Sequence, residues 1–163
     1  MTCIGLNMAV SELNIQRQVA DYIKWNYPSA IFHSDYGSGI KLTMAQAAMQ
    51  KRLNGGRRSW PDIFIAEPRT IKSDDGNKYS YCGLFIELKR DDIRIFKKNG
   101  ELVANEHIRE QYDMLQALYR NGYKAEFACG FDEAKKLIDE YLGDMEDRFV
   151  TFDKARGIYA ETN

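Results

Sequence analysis

The segment 79–89 constrains the fold more than any other part of the chain, because both of its alternating faces are apolar as far as Ile86. Cys82, Leu84 and Ile86 share one face, and Phe85 lies on the other. A strand that is apolar on both faces belongs in the middle of a sheet that is covered on both sides. We therefore expect 79–89 to be the central strand of the fold.

Hydrophobic periodicity, caps and turn residues predict the remaining elements. Helices are expected over 11–26, 43–53, 105–121 and 131–142, and strands over 30–33, 62–66 and 123–129. A turn at 74–77 predicts a hairpin before the central strand, and 150–152 is a candidate edge strand. This order of helices and strands predicts a layered α/β domain with a mixed central sheet.

The length of the chain, 163 residues, is that of about one domain. We expect a single domain with its core over about 11–142 and a C-terminal extension over 143–163. No apolar run is long enough to span a bilayer, and the first residues lack a secretory signal pattern. Three cysteines without a C-x-x-C motif favour a reducing compartment. The expectation is a cytoplasmic protein without a membrane partner.

The formal net charge is only −1, but the charge is unevenly distributed. Residues 131–147 carry seven acidic and two basic side chains, a balance of −5, which leaves +4 for the rest of the chain. Because the local field governs encounter with phosphates, a protein that is neutral overall can still bind nucleic acid through a positive face. The composition permits a nucleic-acid partner without requiring one.

Two charged residues, Glu87 and Lys89, follow Phe85 on one face of the central strand. Side chains two positions apart on a strand lie about 7 Å from each other. A carboxylate and an ammonium beside a core are costly unless they are paired or used. Taken alone, Glu-x-Lys is common in strands, and an ordinary ion pair at a strand end is its usual explanation.

An aspartate, Asp62, opens the preceding strand directly after Pro61, although aspartate is a poor strand former. If this strand pairs antiparallel with the central one, Asp62 and Glu87 come near the same end. Two carboxylates beside a lysine make a site for a hard divalent cation, and Mg²⁺ needs only one or two carboxylates because it keeps several waters. An aspartate after a proline is as often a turn or cap residue.

Two more polar residues fall where apolar ones are expected on helices. Gln111 lies within the stripe of Ile108 and Leu115, and a buried amide there needs partners that the end of the central strand could supply. Glu12 precedes Ile15 by three positions, so we expect it on the inward stripe of the first helix. Its alternative explanation is that an acid in the first turn is favoured by the helix dipole.

Together these positions resemble the PD-(D/E)XK nuclease superfamily and, within it, the VRR-NUC family of virus-type replication and repair nucleases. The resemblance is carried by Glu12, Pro61-Asp62, Glu87-Leu88-Lys89 and Glu110-Gln111, and it continues through 81–89, 122–130, 132–134 and Tyr141. It implies a restriction-endonuclease-like fold of three layers, in which helices flank a mixed central β-sheet.

The resemblance also implies an activity and a set of roles. The protein would be a Mg²⁺- or Mn²⁺-dependent phosphodiesterase, with the carboxylates of Asp62 and Glu87 and the carbonyl of Leu88 around the metal. Lys89 would serve the attacking water, while Glu12 and Gln111 would support the site. The approach loop differs from the family pattern, which often has a glycine before Pro-Asp where this chain has Ser59-Trp60.

A basic cluster immediately precedes Asp62 and predicts a grip on nucleic acid. Its members surround 54–56 and are Lys51, Arg52, Arg57 and Arg58, with Lys41 and Arg90 as extensions. Glycines let the backbone approach phosphates, and arginine forks match phosphate geometry. Trp60 can stack on a base or wedge a junction. The alternatives are a solvated basic loop and a tryptophan in the core.

The two histidines have no metal-ligand spacing. We expect His33 and His107 to be satisfied polar residues, although His33 at a strand end can touch the site.

The sequence therefore favours a metal-dependent DNA endonuclease. The resemblance to phage-encoded enzymes implies action on branched or junction DNA and a homodimer with two active sites. Another class of function is a nuclease-fold protein that binds nucleic acid or a host protein without catalysis, with the acidic 131–147 region as its partner surface. A sequence-specific restriction enzyme is a third alternative.

Overall fold

A computed structural model describes residues 11–35, 42–57, 59–72, 76–143, 150–153 and 158–161. Predictions for Lys41, Arg58 and much of the 74–77 turn lie outside the described residues. No helix within the described ranges is both long and apolar enough to cross a membrane.

Four helices and eight strands make up the described structure. The helices are α1 (Glu12–Asn26), α2 (Met44–Leu53), α3 (Glu106–Arg120) and α4 (Gly130–Leu142), and the strands are β1 (Phe32–Ser34), β2 (Ile63–Ile65), β3 (Arg69–Lys72), β4 (Lys78–Tyr81), β5 (Leu84–Lys89), β6 (Lys124–Cys129), β7 (Val150–Asp153) and β8 (Ile158–Glu161).

The main sheet has four strands in the order β1-β2-β5-β6. β1 and β5 each pair antiparallel with β2, whereas β5 and β6 are parallel. Every residue of β5 is buried, as an interior strand that is apolar on both faces requires. The prediction of an α/β domain with a mixed central sheet is confirmed.

Helices cover both faces of the sheet. α1 and α4 lie on the face of Leu84 and Ile86, where the main core also contains the predicted α1 stripe of Ile15, Val19 and Ile23. α3 covers the other face, where Phe85 packs with Met114 and Leu118. The sheet is therefore the middle of three layers. Strand side chains that follow Phe85 on its face, including Glu87 and Lys89, point to the α3 side.

The helix α2 differs from the other three because none of its residues is buried. It is held locally by a capping box, in which Thr43 and Gln46 each accept a hydrogen bond from the other's backbone N–H. Three of its large apolar side chains, Met44, Met49 and Leu53, are exposed. α2 therefore borders the domain without contributing to its core.

The single strand expected over 79–89 is wrong, since it is divided at Cys82 and Gly83. β4 pairs with β3 in a separate two-stranded hairpin, and only β5 enters the main sheet. The division has a steric cause. A Cβ at Gly83 would lie 2.8 Å from the Ile65 carbonyl oxygen and 2.8 Å from the Phe64 ring, so the chain crosses β2 at closer range than a side chain permits.

The expectation of an added edge strand at 150–152 is also wrong. β7 covers this segment but pairs antiparallel with β8 in a third, two-stranded sheet. Its hydrogen-bond partner is the next strand, β8, and not a strand of the main sheet.

The variant Gly83→Ala should destabilise the protein by about 1–3 kcal/mol, because the new methyl group must displace the backbone of β2. Urea unfolding measures the change. Cys82→Ala is the matched control, since Cys82 is exposed and its loss should change the free energy of unfolding by less than about 0.5 kcal/mol. Equal stability of Gly83→Ala and the wild type would contradict the steric account.

Candidate active site

The pairing of β2 with β5 brings the two predicted carboxylates together. Ile63 pairs with Ile86 in an antiparallel register, so the preceding residue, Asp62, lies opposite the following one, Glu87. Asp62 Oδ2 accepts a hydrogen bond of 2.8 Å from the Leu88 N–H. Both side chains are buried, with 8% of Asp62 and 3% of Glu87 exposed. The expected convergence at one end of the sheet is present.

The Lys89 ammonium lies between oxygen atoms of this site. Its Nζ donates to Glu87 Oε1 at 2.6 Å and to the Leu88 carbonyl at 2.9 Å. These are two of the oxygen donors that the resemblance assigns to a metal ion. In this structure the lysine supplies the positive charge beside them, which makes its burial tolerable.

The Glu87 carboxyl is strongly affected by its surroundings. Burial and, to a lesser degree, the nearby charge of Asp62 raise its pKa to about 8, although Lys89 acts in the opposite direction. A buried carboxylate next to another carboxylate holds its proton unless more positive charge is supplied. Among the described residues, the positive charge near Glu87 is therefore too small to offset its burial and the charge of Asp62.

Gln111 lies on α3 directly above Glu87. It is buried, as its position between Ile108 and Leu115 indicates, and its Nε2 donates to Glu87 Oε1. Its own Oε1 is buried and has no hydrogen-bond partner among the described residues. An unsatisfied buried oxygen at a charged site suits a bound water or ion.

The expectation that Glu12 lies on the inward stripe of α1 is wrong. Ser11 caps the helix, so Glu12 is in the first turn, and half of its side chain is exposed. It still reaches the site, since its Oε1 is 3.9 Å from Lys89 Nζ. α1 belongs to the opposite face of the sheet from α3, so Glu12 contacts the lysine at the end of the sheet.

A cavity of about 640 Å³ opens over these residues. Members of the basic cluster at its wall are Lys51 and Arg57, and Trp60 also lines it. Trp60 is 39% exposed, with its ring 6.1 Å from that of Phe85. The tryptophan is therefore a partly open wall of the cavity and not a core residue.

Two of the basic residues suggested by the sequence lie apart from this cavity. Arg52 is exposed on α2 and does not line the wall, and Arg90 is paired with Asp92. Of the predicted basic residues that the structure describes, Lys51 and Arg57 therefore line the cavity, whereas Arg52 and Arg90 do not.

The structure differs from the predictions for both histidines. His33 is exposed on β1 and is not in the cavity wall, so its suggested contact with the site is absent among the described residues. His107, expected to be a satisfied polar residue, lines the cavity one helical turn before Gln111. The spacing of four residues on α3 is the signal that could have found it.

Gln16 is the second residue that the sequence did not reveal. It is buried on α1 and hydrogen-bonds with the chain segments around Asp62. It lies four positions after Glu12, which is again the spacing of one helical face.

The donor set fits a hard divalent ion that keeps part of its water shell. No group of three or more His, Cys, Asp or Glu side chains is arranged for a metal in the described part of the chain. Such a cluster is not required, because Mg²⁺ is commonly held by one or two carboxylates together with waters and substrate phosphates. Asp62 and Glu87 supply the carboxylates, and the deficit of positive charge and the open Gln111 oxygen agree with this fit.

No family model matches the sequence, and a search of curated proteins finds no significant match. A comparison with solved structures finds a "VRR_NUC domain protein" with a TM-score of 0.52 and 22% sequence identity, covering 83% of this chain and 90% of that chain. The fold is that of a VRR-NUC domain. The restriction-endonuclease-like, three-layer architecture implied by the resemblance is confirmed.

The free energy of unfolding in EDTA should fall as pH rises from about 5 to 8. Glu87 titrates near 4.5 when unfolded and near 8 when folded, so in this window the folded state holds a proton that the unfolded chain has released. The loss reaches up to about 1.4 kcal/mol per pH unit. The glutamine in Glu87→Gln cannot titrate. The free energy of unfolding of this variant, measured with urea, should therefore change less with pH than that of the wild type.

Glu101→Gln is the control for this measurement. Hydrogen bonds from Lys97 and Asn99 lower the pKa of Glu101, so its contribution is lost only at more acidic pH. The slope of this variant between about pH 5 and 8 should match the wild type. Parallel profiles for Glu87→Gln and the wild type would show that Glu87 does not carry the proton.

Proposed function

We propose that this protein is a metal-dependent DNA endonuclease that hydrolyses phosphodiester bonds. The observation that carries the proposal is the meeting of Asp62, Glu87 and Lys89 in one cavity, on a fold shared with a VRR_NUC domain protein. Fold alone does not determine function, so the argument depends on these side chains.

The two carboxylates, with the Leu88 carbonyl, would hold Mg²⁺ or Mn²⁺. When bound there, the ion would stabilise charge on the phosphoryl oxygens and lower the pKa of a water molecule. Asp62 is kept in place by the Leu88 N–H, and Glu87 by Gln111. The Lys89 ammonium lies 2.9 Å from the Leu88 carbonyl oxygen. It must move away before that oxygen can bind the ion.

Lys89 has the second role in the proposed reaction. A released ammonium can orient the attacking water or neutralise charge at the phosphorus, and both tasks need a cation within hydrogen-bond reach. Glu12, 3.9 Å from Lys89 Nζ, provides a second carboxylate towards which the lysine can turn. Glu12 would thus support the site through Lys89, and Gln111 through Glu87.

The cavity wall provides the grip on the substrate. Lys51 and Arg57, which line the cavity, would bind backbone phosphates. Arg52 and Arg58, next to them in sequence, would contact phosphates that flank the cleaved bond. Trp60 presents a partly open indole ring on which a base can stack.

We infer a preference for branched or junction DNA, of the kind that phage-type enzymes cut, and action as a homodimer. The reason for structure selectivity is that the groups proposed to bind the substrate, Lys51, Arg57 and Trp60, contact phosphates and base faces, which carry little sequence information. A two-fold pair of sites would suit a symmetric junction.

A protein that binds nucleic acid without cutting it is the second candidate. The observation that favours it is that Lys89 contacts Glu87 Oε1 and the Leu88 carbonyl, which are two of the oxygen atoms proposed to bind the metal ion. Binding that persists in EDTA, with no cleavage at any Mg²⁺ or Mn²⁺ concentration, would select this candidate.

Asp62→Asn and Lys89→Met should each lower cleavage at least about a hundredfold, because one removes a metal ligand and the other the group serving the water. Rates on duplex, flap, fork and four-way substrates with Mg²⁺, Mn²⁺ or EDTA measure this and the preferred structure together. Lys97→Met is the control, since Lys97 is paired with Glu101 and does not line the cavity. Undiminished cleavage by both site variants would contradict the proposed residues.

Lys51→Gln and Arg57→Gln should each weaken binding of a four-way junction in EDTA and reduce the slope of log affinity against log salt by about one. Fluorescence anisotropy at several salt concentrations measures the slope. Lys136→Gln removes the same charge from α4, where Lys136 pairs with Glu140 one helical turn away, and it should leave the slope unchanged. If all three variants lose affinity equally, the cavity wall is not the specific phosphate contact.

A further inference from the structure

Gln16 is a buried polar residue at the margin of the apolar stripe of α1. Only 5% of it is exposed, and it lies next to Ile15, a member of the main core. A buried amide costs free energy unless its hydrogen-bonding groups are satisfied. An apolar side chain would meet the packing requirement at this position, so the contacts of the amide need an explanation.

The amide nitrogen of Gln16 is directed at the main chain that enters and leaves the site. Nε2 donates to the Asp35 carbonyl at 2.6 Å and to Ser34 Oγ at 2.9 Å, and it lies 3.5 Å from the Asp62 carbonyl. Because an amide has two hydrogens, the two shorter contacts are the principal bonds. The stronger hydrogen bonds of Gln16 are therefore with the end of β1.

The end of β1 in turn grips Asp62. The Asp35 N–H donates to the Asp62 carbonyl at 2.8 Å, directly beyond the last paired residues, Ser34 and Ile63. On its other side, the Asp62 carboxylate accepts from the Leu88 N–H. Asp62 is thus held through its peptide from β1 and through its side chain from β5.

The same face of α1 contacts both charged partners of the site. Glu12 and Gln16 are one helical turn apart. Glu12 lies 3.9 Å from Lys89 Nζ, and Gln16 holds Asp35, whose N–H donates to the Asp62 carbonyl. The first two turns of α1 therefore connect the lysine and the aspartate across the end of the sheet.

We propose that Gln16 is a positioning residue that sets the Asp62 carboxylate for metal binding, acting through Ser34 and Asp35. The inference rests on the proposed function in one respect, namely that Asp62 is a metal ligand. Ligand atoms must be placed within about 0.2 Å for a good metal site, and loss of an outer partner typically costs 10–100-fold in affinity. Gln16 acts by fixing the backbone from which the ligand projects.

The test measures Mn²⁺ binding to the metal-free protein by electron paramagnetic resonance, in the absence of DNA. Gln16→Met keeps the length of the side chain and removes its donors, and it should weaken Mn²⁺ binding about 10–100-fold. The Mn²⁺ concentration that half-saturates cleavage should rise by the same factor. Binding of junction DNA in EDTA should not change, because Gln16 is absent from the wall of the site cavity.

Two controls separate positioning from stability. Gln18→Met makes the same chemical change at an exposed position of the same helix and should bind Mn²⁺ as the wild type does. Val19→Ala removes core packing from α1 without touching the β1 end, so it should lower the melting temperature and leave Mn²⁺ affinity intact. If Gln16→Met does not fold, Gln16→Leu replaces it, since a leucine side chain cannot donate to Asp35.

The outcomes distinguish this inference from the proposed function. Wild-type Mn²⁺ affinity in both Gln16 variants, or an equal loss in Val19→Ala, would overturn the positioning role while leaving the nuclease proposal intact. Mn²⁺ binding that depends on Gln16 in a protein that cuts no DNA would support positioning and overturn the nuclease. A wild-type protein that binds no Mn²⁺ would overturn both.

Discussion

The site depends on the antiparallel pairing of β2 with β5. Because Ile63 pairs with Ile86, Asp62 is opposite Glu87, and the hydrogen bond from the Leu88 N–H to Asp62 Oδ2 fixes the aspartate against the central strand. A shift of one residue would turn one of the carboxylates to the other face of the sheet. The register is protected by burial, since Ile63, Ile65, Leu84 and Ile86 are fully enclosed in the main core. The same apolar packing that stabilises the fold therefore positions the acidic pair.

The second feature of the site is its charge balance. Two buried carboxylates lie side by side, and Lys89 supplies positive charge to Glu87 by donating a hydrogen bond to its carboxylate. The raised pKa of Glu87 expresses the remaining deficit, because burial and Asp62 both disfavour its ionised form. The arrangement is costly for a purely structural element and is what a cation-dependent site requires.

Much of this arrangement could be predicted from the sequence, because the signals were local. The run that ends in Glu87 and Lys89 identified the interior strand, and the α1 and α3 stripes followed from helical spacing. The division at Gly83 was not visible, since it depends on the approach of β2 to the backbone. The open position of Glu12 depends on where α1 begins relative to the sheet. Gln16 was missed because its partners, the Ser34 hydroxyl and the main-chain carbonyls of Asp35 and Asp62, are distant in sequence and form no motif with it.

The central claim is that Asp62 and Glu87 hold one divalent ion next to Lys89. Anomalous diffraction from crystals soaked in Mn²⁺ tests it most directly, because it locates the ion without an assay of activity. The account predicts a single strong peak roughly 2–2.5 Å from a carboxylate oxygen of each acid, with the Lys89 ammonium moved off the Leu88 carbonyl. A peak that touches only one of these acids, or crystals with no peak in the cavity at saturating Mn²⁺, would contradict it.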